Sequence, residues 1–255
     1  MKSAQDVFAA VIARYDKRAP LSDEARAALL GLPYKLKTYP KHVYLVREGD
    51  RSGSAQLILD GLVYRHKVTA EGRRQILSLH MRGDFIDLEG SLLQVADHNA
   101  QALEQCIVAE VSRTALVELI DRHGTLAHAM WIDTLIDASV YREWVVNVGA
   151  RDSRKAMCHL LCEVGRRLEF AGLADGGHFR LPMTQEQLSD CLGITAVHVN
   201  RVLRDLDHEG VLIRRERFIE VPDRTKLAEI AGFNDLYLHL DLMVSGSKVK
   251  RANGR

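Results

Sequence analysis

No excess of one charge marks this chain: 35 Lys and Arg stand against 34 Asp and Glu, a formal net charge of +1 over 255 residues. Bulk basicity therefore announces no polyanion partner, and any nucleic-acid site has to be local. No uninterrupted apolar run approaches the roughly 18–20 residues that span a bilayer. The opening Met1-Lys2-Ser3-Ala4-Gln5-Asp6 meets charge within a turn or two, so it does not read as a secretory leader. Cysteine is scarce, and Cys106, Cys158, Cys162 and Cys191 lack the spacing of a secreted disulfide framework. These absences favour a soluble, cytoplasmic protein with no membrane partner. The 47% hydrophobic content leaves ample material for cores, and the length suits two domains of about 100–150 residues each.

Five segments divide the chain. Residues 1–33 read as two helices, the second capped by Ser22 with Asp23 and Glu24 in its first turn and stopped by Gly31-Leu32-Pro33. Across 34–123 the texture turns to short β-rich runs at 43–46, 56–59, 62–68, 75–79 and 106–111. Gly49, Gly61, Gly72 and Gly83 recur between them every 11 or 12 residues, the rhythm of a β-roll of jelly-roll type, followed by a short helix at 114–122. Residues 124–150 form one long helix that is apolar on more than one face and must pack on two surfaces. Leu126, Met130, Val140, Trp144 and Val148 are the residues expected to meet a second copy of the chain, and a polar substitution at Val140 or Trp144 is expected to disperse that dimer. Residues 151–242 hold a helix, a compact unit and a closing helical segment. The basic end 243–255 reads as a flexible tail. The fold class is α+β.

The compact unit carries the chemistry. Thr184 and Gln187 form a capping box that starts a helix with Leu188 and Leu192 on its inner face. Gly193 supplies a tight turn, and Thr195 caps a second helix whose apolar side is Val199, Val202, Leu203 and Leu206. Two helices joined in this way form a helix-turn-helix. The periodicity turns Ala196, Val197, His198, Asn200, Arg201 and Arg204 outward. Small residues at the N-terminal end let the helix enter a major groove, where Arg201 reaches guanine O6 and N7 and Asn200 is a second base reader. Thr184, Thr195 and His198 sit at helix N-termini suited to phosphate oxygens, with Arg204 as a further phosphate contact. Two β runs around Arg214-Arg215-Glu216-Arg217 make a wing with a basic tip. Seven arginines against eight acids between 180 and 224 mean that DNA binding rests on placement rather than on charge excess.

Taken in order, Arg47-Glu48-Gly49-Asp50, Leu59-Asp60-Gly61, Gly72-Arg73-Arg74-Gln75-Ile76, Gly83-Asp84-Phe85, Leu192-Gly193-Ile194-Thr195 and Val199-Asn200-Arg201-Val202-Leu203 resemble the cAMP receptor protein/FNR (Crp/Fnr) family of bacterial transcription regulators over about residues 34–222. The resemblance implies a cyclic-nucleotide-binding-like β-roll sensor, a long dimerisation helix and a C-terminal winged helix-turn-helix. It also implies a homodimer on a pseudo-palindromic operator, with double-stranded DNA and RNA polymerase as partners and no enzymatic activity. It puts the base-reading arginine on Arg201 and the phosphate-contacting hydroxyls on Thr184 and Thr195. Many members have Arg-Glu at the start of the recognition helix. This chain has Ala196-Val197, so a cytosine-reading carboxylate is missing and Val197 faces a thymine methyl instead.

What the sensor reads is less legible. Cyclic-nucleotide members hold the phosphate with an Arg-Ser pair, and the corresponding loop here, Asp97-His98-Asn99-Ala100, has no arginine. Glu89 lies near, but out of register with, the family's ribose-binding glutamate. Cyclic AMP is therefore disfavoured as the effector. An iron–sulfur cluster of the N-terminal type is excluded, since residues 1–105 hold no cysteine. Cys158-His159 with Cys162 reads as core before it reads as a metal or redox site. No cofactor is assigned, and the small-molecule effector stays open, as does activation against repression. Two rival functions are an interaction adaptor that has lost DNA binding and a metal-dependent cupin-type enzyme. The latter lacks the His-x-His pair it would need.

Overall fold

A computed structural model describes residues 3–51, 53–215 and 218–240. Helices α1 (Ala4–Arg18) and α2 (Asp23–Leu30) precede the strands β1 (Tyr34–Tyr39), β2 (Tyr44–Val46), β3 (Ser54–Asp60), β4 (Val63–Val68), β5 (Arg74–His80) and β6 (Phe85–Ile86). The short α3 (Gly90–Leu93) leads to β7 (Asn99–Ala102) and β8 (Cys106–Ser112). Two antiparallel four-stranded sheets result, ordered β1-β8-β3-β6 and β2-β7-β4-β5. This is the roll expected from the glycine rhythm, with three more strands than the β-rich runs showed.

Each missed strand has a physical reason. β1 is an edge strand whose Lys35 and Lys37 face water, so it lacks an apolar signature. β6 is two residues long, and β7 reads Asn-Ala-Gln-Ala, buried but built from residues of low β preference. Gly61 shows why the turns need glycine. Its φ is +87°, and a Cβ there would lie 2.5 Å from the Gln105 carbonyl oxygen and 2.7 Å from Cys106 Sγ. Gly61→Ala is expected to cost more than about 1 kcal/mol, read as a lower midpoint in urea unfolding.

Helix α4 (Arg113–Arg122) ends the roll and α5 (Gly124–Gly149) runs along it. As expected, α5 has two apolar surfaces, but their membership differs from the sequence assignment. Leu126, Met130, Val140 and Trp144 are buried within the single chain and cannot face a partner. Leu126 and Met130 join a core with α1, α2, α4 and strands β3 and β8. Val140 and Trp144 join the core that continues from Leu62, Tyr64 and Leu79 of the roll into the C-terminal unit. Only Val148 of the five is exposed, together with Trp131, Leu135 and Val145. Apolar residues surround this helix on all sides, so its sequence carries no stripe that tells one face from the other.

Beyond the bend at residues 150–152 follow α6 (Ser153–Phe170), β9 (His178–Arg180), α7 (Gln185–Leu192), α8 (Ala196–His208), β10 (Ile213–Arg215), β11 (Phe218–Glu220) and α9 (Arg224–Ala231). The closing segment is two pieces rather than one helix. Gly232, at φ +58°, ends α9 before a 3-10 turn at Asp235–Leu238. Residues 241–242 of that segment and the tail 243–255 lie outside the described residues.

Polar ties join the roll to this unit. Arg74 Nε donates to Asp190 at 2.7 Å, Gln75 Nε2 to the Cys191 carbonyl at 3.2 Å, and Arg167 to the Leu79 carbonyl at 2.8 Å. Glu163 is fully buried in the shared core and takes bonds from Trp144 Nε1 (2.9 Å) and Tyr237 Oη (2.8 Å).

Candidate nucleic-acid interface

Local sequence builds the helix pair. Thr184 Oγ1 accepts from the Gln187 N–H at 3.1 Å while Gln187 Oε1 accepts from the Thr184 N–H at 3.0 Å, which closes the capping box. Gly193 ends α7 in the left-handed region at φ +67°, a conformation that costs glycine little. Thr195 Oγ1 then accepts from the His198 N–H at 3.3 Å and starts α8. Val199, Val202, Leu203 and Leu206 are buried. At about 100° per residue, Val197, Asn200, Arg201 and Arg204 fall within an arc of about 100° on the opposite side. All four are exposed, Val197 to 82%. Ala196 and His198 flank the arc and are half-buried.

The base-reading candidates Arg201, Asn200, Val197 and Ala196 therefore share one face or its border. Thr184 and Thr195 are exposed at their helix starts, as the cap geometry requires. The wing forms as a three-stranded sheet, β10-β11-β9, in which Arg214 pairs with Ile219 and Arg215 with Phe218. Arg215 is exposed and Arg214 half-buried. Arg217 lies outside the described residues. The third strand, β9, was not visible as a strand in the sequence because it is three residues long and follows a glycine-rich loop.

Acidic neighbours are held by cations of this chain. Asp190 and Glu186 of α7 face Arg74 of the roll at 2.7 and 4.0 Å. Glu209, just past α8, takes both terminal nitrogens of Arg154 at 2.8 and 2.6 Å, and that pairing holds its carboxyl below the ordinary range. Asp190, Glu186 and Glu209 are thus partly neutralised from the roll and α6, while Arg204 lies 3.8 Å from its own neighbour Asp205.

The thiols stay out of this chemistry. Cys106, Cys158 and Cys191 are buried and Cys162 is half-buried, all four free. Burial pushes Cys158 up to about 11 and Cys162 up to about 12, far from thiolate reactivity at neutral pH. His159 turns to the rings of Phe233 and Tyr237. No group of three or more metal-ligating side chains occurs among the described residues.

Sequence reasoning missed one site residue. A cavity of about 720 Å³ lies between the roll and α5, walled by Trp131, Met130, Phe85, Asp137, His98 and Arg65 among others. Arg65 of β4 is buried and already bound: its guanidinium meets Glu89 at 2.9 Å and Tyr141 Oη at 3.2 Å. Arg65 stands in a polar run with His66 and Lys67, so nothing local marked it as buried, and its partners lie 24 and 76 residues away.

Comparison with known families agrees with both halves. The cyclic nucleotide-binding domain model matches residues 36–123 and the Crp-like helix-turn-helix domain model matches residues 155–230. The chain belongs to the Crp/Fnr family. It is therefore a DNA-binding transcription regulator of the Crp/Fnr type and not an enzyme. Among similar Crp/Fnr proteins, the transcriptional activator protein FnrL of Cereibacter sphaeroides is 26% identical over 227 residues, 88% of each chain. The fumarate and nitrate reduction regulatory protein of Escherichia coli K12 is 24% identical over 196 residues, 77% of this chain and 78% of its own. The solved structure of FixK2 from Bradyrhizobium japonicum superposes with a TM-score of 0.73 at 25% identity, covering 80% of this chain and all of that one. No helix among the described residues is long and apolar enough to cross a membrane.

Proposed function

We propose that this Crp/Fnr regulator acts in the cytoplasm as a homodimer on a pseudo-palindromic operator, with α8 of each protomer in a major groove about 34 Å from the other. The observation that carries the reading is the exposed arc of α8. Arg201 reads a guanine, Asn200 and Val197 meet neighbouring base edges, and Ala196 leaves room for the backbone to approach. Thr184, Thr195, Arg204, Arg214 and Arg215 take phosphates, and Arg217 is assigned to the same role from sequence.

The dimer face is a seam on α5. Trp131, Leu135, Ala138, Arg142 and Val145 follow one another at alternating intervals of four and three residues, the spacing of a coiled-coil seam, with Val148 beside it. Trp131, Leu135 and Val145 are 63%, 52% and 72% exposed in the single chain.

The sensor cavity supports an effector other than cyclic AMP. Arg14, Arg65 and Lys67 line it against Asp84, Glu89, Asp97, Asp133 and Asp137, so acids outnumber cations. Glu89 already occupies the buried Arg65. A cyclic phosphate entering here would have to displace Glu89 from Arg65. Contact with RNA polymerase belongs to this reading if the regulator activates.

Duplexes selected from a random pool test the proposal. Arg201→Ala is expected to cost about 1–3 kcal/mol and to relax the preference at one base pair, whereas Arg215→Ala weakens all sequences alike. Equal losses on selected and random duplex for both variants contradict this division of labour. An adaptor without DNA binding would retain no duplex at any salt concentration, whereas a regulator loses affinity steeply as salt rises.

A further inference from the structure

We propose that His198 positions Arg201 rather than contacting DNA: its Nε2 lone pair takes the guanidinium, and the Ser153 hydroxyl fixes the ring. This rests on the reading of α8 as the base-reading helix. His198 is half-buried against the start of α6, one turn before the exposed Arg201. Its Nε2 stands 3.2 Å from an Arg201 terminal nitrogen and 2.7 Å from Ser153 Oγ. A guanidinium has only donors, so this contact requires a bare Nε2 and a proton on Nδ1. A phosphate oxygen, by contrast, is an acceptor and needs a ring N–H. Nε2 has a single lone pair, which the guanidinium and the Ser153 hydroxyl share, so this end of the ring is committed to the protein. The phosphate role expected of His198 is thereby displaced at Nε2, and Nδ1–H is left as the ring's one donor.

The contact has a structural origin. Ser153 is the first residue of α6, immediately after the bend that follows α5. The next residue, Arg154, grips Glu209 just beyond the other end of α8. The start of α6 thus holds α8 at both ends, at His198 through a hydroxyl and at Glu209 through an ion pair. Arg201 otherwise projects on a long, freely rotating side chain from an exposed surface. Holding it in one orientation before binding reduces the ordering that base recognition requires.

Affinities are to be measured for a selected operator, for the same duplex with the Arg201-dependent base pair changed, and for a random duplex. The proteins are the full-length chain and its H198A, H198Q, S153A, R201A and H198A/R201A variants. H198A is expected to lose discrimination at the same base pair as R201A, by about fivefold or more, with random-duplex affinity unchanged. The double variant should be no worse than R201A alone. H198Q, whose amide oxygen also accepts, should regain most of the discrimination, and S153A should fall between H198A and the unsubstituted protein. If H198A weakens selected and random duplexes equally, or if its loss adds to that of R201A, His198 is a phosphate contact and the proposal is wrong. Retention of full base discrimination by R201A would instead remove the reading of α8 on which it stands.

Discussion

Glutamate at both Leu135 and Val145 is expected to yield a folded monomer that no longer retains operator-length DNA. Each side chain is more than half exposed in the single chain, so its replacement removes little that the protomer needs. In a two-fold seam each substitution counts twice. Four apolar side chains leave the interface, each worth about 1.5–3 kcal/mol when fully buried, and glutamates of like charge are brought opposite one another. The dimer dissociation constant should rise by at least about a thousandfold on those figures. A half-site bound by one protomer also loses the tethering that makes the second contact intramolecular, about 10²–10⁴ in affinity. Sedimentation velocity and mobility shift on the same samples read both effects. A variant that sediments as a dimer and binds its operator fully would remove α5 as the interface. Trp144 gives the contrast. It is buried and its Nε1 donates to Glu163, so Trp144→Ala costs about 3–5 kcal/mol of fold stability and melts the protein instead of dispersing it.

That contrast marks where sequence reasoning succeeds here and where it stops. The helix-turn-helix was legible because each of its devices acts within a few residues: Thr184 with Gln187, Gly193 in its turn, Thr195 on His198. The roll was legible through its regularly spaced glycine turns. The two faces of α5 were not separable, because choosing between Trp131 and Trp144 depends on what the C-terminal unit covers, and that is fixed by contacts such as Trp144 with Glu163. The same holds for Arg65 with Glu89 and for Ser153 with His198, pairs 24 and 45 residues apart that meet only when the chain has closed. Local rules find caps and turns; they do not find partners.

Acid should weaken the fold before it protonates most surface carboxylates. Burial foremost, then Arg74, holds His66 down to about 4. Burial foremost, then Arg151, holds His159 down to about 4, and burial with Arg65 holds His80 well below its ordinary value. His66 Nδ1 is buried without a hydrogen-bond partner, so a proton added there would find no acceptor. In the unfolded chain these imidazoles take a proton near pH 6.5. The folded chain refuses it until about pH 4 for His66 and His159, so their stabilising contribution is complete above pH 6.5 and is lost as pH falls through that window. Each group adds a slope of up to about 1.4 kcal/mol per pH unit, and a loss of the order of 2 kcal/mol per histidine remains after allowance for solvent screening. Asp137 and Glu163 act in the opposite sense. Burial pushes both carboxyls up, so the folded chain binds their protons first and part of the loss is offset. Urea midpoints between pH 7 and 4.5 should therefore decline in the unsubstituted protein, and His66→Gln and His159→Gln should each flatten the decline by close to one proton. An unchanged slope in both variants would mean that the two imidazoles are protonated in the folded protein and that burial does not hold them neutral.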